Sequence, residues 1–238
     1  MKLVKPLQSL ALGMAFIAIG PVAQAQIAGE TLQKIKDTGT LTIGYRESSI
    51  PFSYLDGQQK PVGFSIDLCQ RIADKVKQTL SLSNLAIKQV AVNSSNRIPL
   101  VSNGTVDIEC GGTANNLARQ KQVSFSVATF AGQPRWLVRT DSGFRTSSDL
   151  KDKTVVVTQG SNAVGFVRKI NEDEKLRMQI IQAKDHGESM LTLTNGRAVA
   201  FLEDDTLLAG ERANTSNPAE YSFLQGGYEV GYYGLMFK

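Results

Sequence analysis

The stretch Ser94–Arg119, SSNRIPLVSNGTVDIECGGTANNLAR, contains the residues on which the predicted fold and function depend. Arg97 lies just inside the predicted start of a helix that Asn103-Gly104 ends, and Thr105–Cys110 is predicted to form a short buried strand. A polar run then leads to Arg119. Two guanidiniums at the ends of successive elements, beside hydroxyls and free backbone N–H groups, are typical of carboxylate binding. Ordinary surface arginines beside a turn are the alternative.

The first 25 residues have the three parts of a secretory signal peptide. Lys2 and Lys5 precede an apolar run from Leu10 to Ile19, which is followed by Ala23-Gln24-Ala25. This run is too short for a membrane-spanning helix, which needs roughly 20 apolar residues. We therefore predict cleavage after Ala25 and export of a protein that begins near Gln26.

The charge of the exported chain argues against nucleic acid as a partner. Removal of residues 1–25 takes away two lysines and no acids, so the formal net charge falls from +4 to +2, and the chain has no basic run. One histidine and two cysteines have no metal-ligand spacing, and we expect neither a metal nor a cofactor. Cys69 and Cys110 could form a disulfide in an oxidising compartment or remain buried free thiols.

Two segments about ninety residues apart share one plan. Ile98–Glu109 and Met190–Asp204 each combine a helix, an Asn-Gly helix end, a buried strand and acidic residues at its carboxyl end. Right-handed βαβ connections place helices on the faces of a sheet, so each segment is predicted to belong to its own lobe. We predict an α/β fold with a ligand cleft between two lobes. Lobe 1 comprises residues 26–132 with 230–238 returning to it, and lobe 2 comprises residues 133–229.

Several segments together resemble the periplasmic glutamate/aspartate-binding proteins of ABC uptake systems, which are extracellular solute-binding proteins of the family 3 type. The resemblance runs from about Leu32 to the end of the chain. It rests on the segments GYRESSIPFSY, GFSIDL, NSSNRIPL, SNGTVDIECGGTANNLARQKQVSFS, AKDHGESMLTL and GRAVAFLEDDTLLAGERA. It implies a type II periplasmic binding protein-like fold that closes over one amino acid. It also implies a monomer that delivers L-glutamate or L-aspartate to a membrane permease without chemistry on the ligand.

The resemblance gives six side chains a role. The ligand's side-chain carboxylate would be held by Arg46, Ser94, Arg97 and His186, its α-carboxylate by Arg119 and its ammonium by Asp204. Three arginines and a histidine would then face two carboxylates, as an acidic amino acid requires. From the residues alone, His186 could equally be a satisfied core histidine, and Asp204 the N-cap of a following helix.

Three positions depart from the family pattern. Family members commonly have hydroxyls where this chain has Gly112, Ala114 and Asn162. Those hydroxyls frame the α-amino and α-carboxylate ends of the ligand, and each lost hydrogen bond is worth about 0.5–1.5 kcal/mol. Backbone N–H groups at Gly112 and Ala114 and the amide of Asn162 can still contact a ligand. We therefore expect weaker binding than in the family, or a ligand whose α-end differs.

Two other interpretations accompany the binding-protein prediction. A dehydratase-like enzyme on the same scaffold would need a general acid in the cleft, and His186, Glu109 or Asp204 has the required chemistry. The ligand-framing pattern favours capture, so we predict no enzymatic activity. Family members also continue for some tens of residues beyond the position of Lys238. The resemblance therefore implies that a C-terminal part is missing, which leaves a truncated, non-functional binding protein as the further alternative.

Overall fold

The structure, a computed structural model, describes residues 29–238, and the predicted signal peptide lies outside these residues. The helices are α1 (Glu30–Thr38), α2 (Phe64–Thr79), α3 (Arg97–Ser102), α4 (Leu117–Gln120), α5 (Ala163–Asp173), α6 (His186–Thr194) and α7 (Asp205–Ala213). The strands are β1 (Thr40–Tyr45), β2 (Ser48–Ser49), β3 (Ser53–Leu55), β4 (Pro61–Val62), β5 (Ala86–Ala91), β6 (Ile108–Glu109), β7 (Ser124–Phe125), β8 (Phe130–Gly132), β9 (Pro134–Arg139), β10 (Thr154–Thr158), β11 (Gln179–Ala183), β12 (Ala200–Asp204), β13 (Tyr221–Phe223), β14 (Gly231–Tyr233) and β15 (Met236–Phe237). Within residues 29–238, no helix has the length and apolar character needed to cross a membrane.

Lobe 1 is built on a five-stranded sheet with the order β5-β1-β6-β15-β7. β1 pairs in parallel with β5 and β6, whereas β15 pairs antiparallel with β6 and β7. Helices α1 and α2 cover one face around Ile35 and Ala73, and α3 covers the other around Val101 and Met236. Because β1, β5 and β6 are parallel, the residues that follow all three strands lie at one edge of the sheet.

Lobe 2 is built on a second five-stranded sheet with the order β11-β10-β12-β9-β13. The central strand β10 is parallel to β11 and β12, while β9 is antiparallel to β12 and to β13. β10 is apolar throughout its middle because helices cover both faces of the sheet. Val155 and Val157 pack against α5, and Val156 packs against α6.

The chain passes between the lobes through a two-stranded antiparallel ribbon. β8 leaves lobe 1 and β14 returns to it, with Gly132 opposite Gly231 and Phe130 opposite Tyr233. A narrow ribbon of this kind can bend while the two sheets stay intact, because few main-chain hydrogen bonds cross it.

The strand predicted at Thr105–Cys110 is shorter than expected and is restricted to Ile108–Glu109. The reason is the side chain of Asp107, whose Oδ2 accepts a hydrogen bond of 2.8 Å from the backbone N–H of Thr42. Its Oδ1 accepts from Nζ of Lys34 at 2.8 Å. A carboxylate therefore takes the place of one backbone acceptor where β6 meets β1.

Cys69 and Cys110 form a disulfide, which resolves the two possibilities that the sequence left open. The bond joins the buried face of α2 to the residue that follows β6, across a sequence separation of 41 residues. Both cysteines are fully buried in the core of lobe 1. The crosslink therefore fixes the α2–β6 packing that carries the predicted binding segment.

We expect the Cys69→Ala, Cys110→Ala double variant to lose about 3 kcal/mol of unfolding free energy, because a loop of this size is no longer closed in the unfolded chain. Urea denaturation of the oxidised protein and the double variant measures the difference. The reduced wild-type chain is the control and should unfold near the variant's midpoint. Equal midpoints for the oxidised protein and the variant would contradict the stabilising role.

Candidate functional site

Most of the predicted site residues line one small cavity between the lobes. Its volume is about 10 Å³, which is roughly the space that a single water molecule needs. The lobes are therefore closed on each other, and an amino acid can enter only when they separate. The cavity is lined by Ser94, Arg97, Gly112, Ala114, Arg119, Ser161, Asn162, His186, Glu203, Asp204 and Leu207.

Arg97 has buried hydrogen-bond donors that no group in residues 29–238 satisfies. It is the first residue of α3, and only 2% of its surface is exposed. Its Nε and Nη1 make no hydrogen bond within the described chain. Burying an unpaired cation is costly, and a carboxylate bound in the cavity would supply two acceptors in the geometry that a guanidinium prefers.

Arg46 lies directly behind this part of the cavity and does not line it. It follows β1 and is 1% exposed. Its Nη2 donates to Oγ of Ser94 over 3.0 Å, whereas Nη1 has no partner among residues 29–238. Burial, and then the charge of Arg97, lowers the pKa of Arg46 to about 10, so it remains a cation at neutral pH. Its positive charge therefore lies next to the cavity, in direct contact with Ser94, which lines it.

Arg119 connects the two lobes at the other end of the cavity. Asn116 caps the short helix α4 by accepting a hydrogen bond from the Arg119 backbone N–H, which fixes where the side chain starts. The Nη1 of Arg119 donates to the carbonyl of Ala114 over 2.8 Å, and Nη2 donates to the carbonyl of Gly160 over 3.2 Å. Burial lowers the pKa of Arg119 to about 9, helped by the charge of Arg97.

His186 opens α6 behind the N-cap Asp185 and is held between both lobes. Its Nδ1 lies 3.0 Å from Oγ of Ser49 in lobe 1, and its Nε2 lies 3.5 Å from Oε2 of Glu203 in lobe 2. Burial lowers the pKa of His186 despite the opposing effect of Glu203. The contact with Ser49 ties the His186 ring to lobe 1 and orients it at the cavity.

Two buried carboxylates of the site are not among the ligand contacts that the sequence predicts, although Glu109 is one of its candidate general acids. Glu203 lines the cavity. Glu109 lies behind it, and its Oε2 accepts a hydrogen bond of 2.7 Å from Oγ1 of Thr113. Burial acts to raise the pKa of Glu203, but the nearby His186 ring and the backbone N–H of Asp204, which donates to Oε1 over 3.2 Å, lower it overall. The sequence sets three arginines and a histidine against two ligand carboxylates. That comparison of charges is incomplete, because Glu109 and Glu203 also place negative charge near the arginines. Their position at the ends of β6 and β12 was the available signal.

Asp204 is positioned by a tyrosine and does not cap α7 with its side chain. It occupies the N-cap position, but no side-chain capping bond forms, and Asp205 accepts from the Thr206 backbone N–H at 2.7 Å instead. The hydroxyl of Tyr233 donates to Oδ2 of Asp204. Burial, and then the charge of Glu203, raises the pKa of Asp204 to about 7. The helix-cap alternative is thereby excluded, and the carboxyl stays available to the cavity.

The three departures from the family pattern lie together at the Asp204 end of the cavity. Gly112 is enclosed, because a Cβ there would lie 3.1 Å from the ring of Phe52 and 3.2 Å from that of Tyr233. Ala114 forms a backbone bridge to Tyr233. Asn162 accepts through Oδ1 a hydrogen bond of 3.3 Å from Asn116 of lobe 1. Small side chains and one inter-lobe amide contact therefore replace hydroxyl groups there.

Glu211 is a third buried acid of lobe 2, after Glu203 and Asp204, and it lies outside the small cavity. It lies on α7, is 4% exposed, and its Oε1 has no hydrogen-bond partner within residues 29–238. Burial, and then the charge of Asp185, raises the pKa of Glu211 to about 8, against the lowering effect of Arg46. The folded protein therefore holds a proton that the unfolded chain has already released above its ordinary pKa of 4.5.

The different pKa of Glu211 in the folded and the unfolded chain predicts that stability depends on pH. Wild-type stability should fall as the pH rises from about 4.5 to 8, because the unfolded chain ionises this carboxyl in that range while the folded protein keeps it protonated. We expect Glu211→Gln to raise the unfolding free energy by about 1–3 kcal/mol at pH 8.5 and to change it little at pH 4. Thermal melts at both values measure this, with Glu172→Gln at an exposed helix position as the control. An identical pH dependence in variant and wild type would refute the assignment.

Comparison with known proteins decides the family. Residues 41–199 match the bacterial extracellular solute-binding proteins, family 3. The chain belongs to this family. It is 46% identical over 214 residues to the "Glutamate/aspartate import solute-binding protein" of Escherichia coli (strain K12), covering 90% of this chain and 71% of that protein. It is 45% identical over 241 residues to the "L-glutamate/L-aspartate-binding protein" of Pseudomonas aeruginosa, covering 100% of this chain and 78% of the relative.

Solved structures of the same fold support the assignment. The arginine-bound form of truncated ArgBP from T. maritima is similar with a TM-score of 0.76 and 25% identity, covering 87% of this chain and 91% of that chain. The solute receptor for L-cysteine of Neisseria gonorrhoeae is similar in fold, with a TM-score of 0.76 and 21% identity. The match covers 87% of this chain and 80% of that chain. The predicted two-lobe type II fold is confirmed. These proteins are binding proteins, and nothing in the comparisons favours the dehydratase alternative.

Proposed function

We propose that this family member binds L-glutamate or L-aspartate between its lobes and presents the closed complex to the membrane permease of an ABC importer. It acts in the periplasm as a monomer, after removal of the signal peptide, and leaves the ligand chemically unchanged. The names of its relatives support the ligand class. The family, whose description is extracellular, supports the location.

One observation carries the ligand assignment. The buried donors of Arg97 have no partner within residues 29–238, and they face a cavity that Arg119 also lines. Two guanidiniums in a water-excluded site favour a ligand with two carboxylates, since an uncharged ligand would leave buried cations unpaired.

The ligand's orientation follows from the positions of the remaining polar groups. We assign the side-chain carboxylate to Arg97, Ser94 and His186, with the charge of Arg46 behind them. Arg119 takes the α-carboxylate, and its two bonds to carbonyl oxygens still leave hydrogens on both terminal nitrogens. Asp204 takes the ammonium, which favours the ionised form of this carboxyl.

A ligand in this orientation favours closure because its partners come from both lobes. Ser94 and Arg97 belong to lobe 1, whereas His186 and Asp204 belong to lobe 2. Only the closed arrangement lets one small molecule contact all four, so binding shifts the equilibrium toward it. Bending of the β8–β14 ribbon provides the opening through which the ligand enters.

Calorimetric titration of residues 26–238 with L-glutamate, L-aspartate, L-glutamine and glutarate tests the proposal. A circular-dichroism melt first establishes that the chain is folded. We expect the two acidic amino acids to bind at least about 100-fold more tightly than L-glutamine, which leaves a buried arginine without its carboxylate. Equal affinity for L-glutamine, or no binding of either acidic amino acid by a folded chain, would refute it.

A further inference from the structure

A second, larger cavity adjoins the candidate ligand site. Its volume is about 560 Å³, compared with about 10 Å³ for the small cavity between the arginines. It lies beside α5 and the segment that leads into β14. Its lining comprises Ala114, Asn115, Asn116, Pro134, Ser161, Asn162, Gly165, Phe166, Lys169, Asp204, Glu229, Val230 and Gly231.

The two cavities meet at the ammonium end of the proposed ligand. They share four lining residues, Ala114, Ser161, Asn162 and Asp204. Arg97, Arg119 and His186 line the small cavity and do not line the larger one, so the groups proposed for the two carboxylates belong to the small cavity alone. Two of the positions that depart from the family pattern, Ala114 and Asn162, lie at this junction. A ligand held by its carboxylates would therefore have free space next to its α-nitrogen.

We propose that the preferred ligand is a dipeptide whose C-terminal residue is glutamate or aspartate. This inference rests on the proposed function, because the same residues hold the two carboxylates of the acidic residue. The peptide nitrogen replaces the ammonium and donates its single N–H to Asp204. The first residue of the dipeptide then occupies the larger cavity.

The larger cavity has groups that suit a small first residue with a free ammonium. Glu229 is a carboxylate on its rim, and Phe166 provides apolar surface for a short side chain. The cation on the rim, Lys169, is already paired with Asp173 in the next turn of α5. A positive terminus is therefore better matched there than a second anion.

Titration with L-alanyl-L-glutamate, L-glutamyl-L-alanine and L-glutamate tests the inference. We expect L-alanyl-L-glutamate to bind about tenfold or more tightly than L-glutamate, as one added charge-assisted contact would give. The reversed dipeptide should bind most weakly, because its α-carboxylate is lost to the peptide bond. Tighter binding of L-glutamate than of L-alanyl-L-glutamate would overturn the inference while the proposed function stands. Binding of none of the three by the folded chain would overturn both.

A variant that fills the larger cavity separates this contact from general effects on folding. Gly165 lines it on α5, and a Cβ at this position has no atom within 4 Å. Gly165→Leu should weaken L-alanyl-L-glutamate about tenfold and leave L-glutamate unchanged. Arg168→Leu, at an exposed position of the same helix outside the cavity, is the matched control and should change neither. Equal weakening of both ligands by Gly165→Leu would contradict a separate subsite.

Discussion

Replacement of Arg97 by alanine should weaken L-glutamate binding by about 2–5 kcal/mol, the range for truncating one partner of a buried charge pair. The loss has two physical parts: the ligand carboxylate keeps its desolvation cost, and the paired hydrogen bonds disappear. The unliganded protein should stay folded, because Nε and Nη1 of Arg97 make no hydrogen bond to any group in the described part of the chain. Calorimetry with a parallel thermal melt measures both effects.

Two further variants sharpen this prediction. Arg97→Lys keeps the positive charge but cannot form the two-pronged pair, so it should recover only part of the affinity. Arg71→Ala removes an arginine from the exposed face of α2 and serves as the matched control for lost net charge. If Arg97→Ala binds L-glutamate as well as Arg71→Ala does, the carboxylate is held elsewhere.

Gly210→Ala is expected to abolish binding by preventing the lobes from closing. A Cβ at Gly210 on α7 would lie 2.3 Å from the backbone oxygen of Ile50 in lobe 1. A backbone atom cannot move aside as a flexible side chain can, so the lobes must stay apart by a few tenths of an ångström or more. The 3.0 Å contact between His186 and Ser49 would then lengthen, and a ligand could no longer reach its partners in both lobes at full hydrogen-bond geometry. We expect at least about a 100-fold loss of affinity, in line with the loss of several buried contacts.

The stability of this variant should move in the opposite direction from its affinity. Alanine is favoured over glycine within a helix by about 0.5–1 kcal/mol, and the open arrangement relieves the clash. Small-angle scattering should show no compaction of the variant when L-glutamate is added. Gly165→Ala, whose Cβ meets open space on α5, is the matched control and should bind normally. Normal binding by Gly210→Ala would show that the functional closed state is wider than this one.

The sequence is informative about the parts of the fold that depend on local patterns. Alternating or continuous apolar runs predict β1 and β10, and Asn-Gly pairs mark the ends of α3 and α6 because they suit the last helical turn. Residues that follow parallel strands must come to one edge, so the convergence of Ser94 with His186 in a cleft is also predictable.

The remaining features depend on contacts between residues far apart in the chain. The Cys69–Cys110 bond requires α2 to lie on β6, which neither segment specifies alone. Glu203 and Glu109 read as ordinary strand-end acids until the closed lobes bury them. The tyrosine that holds Asp204 lies 29 residues away, on the returning strand. Patterns along the chain predict which residues lie at the site but not their partners.

The interleaving of β15 between β6 and β7 has a consequence for the order of folding. Every strand of lobe 2 comes from one uninterrupted stretch, 134–223, whereas lobe 1 needs residues 236–237 to join its two parts. The chain loses the entropy of closing a long loop before distant segments gain their contacts, so sheets assembled from distant segments form slowly. Most of lobe 1 is synthesised before lobe 2. Lobe 2 can nevertheless fold first, because the sheet of lobe 1 is incomplete until β15 has been synthesised.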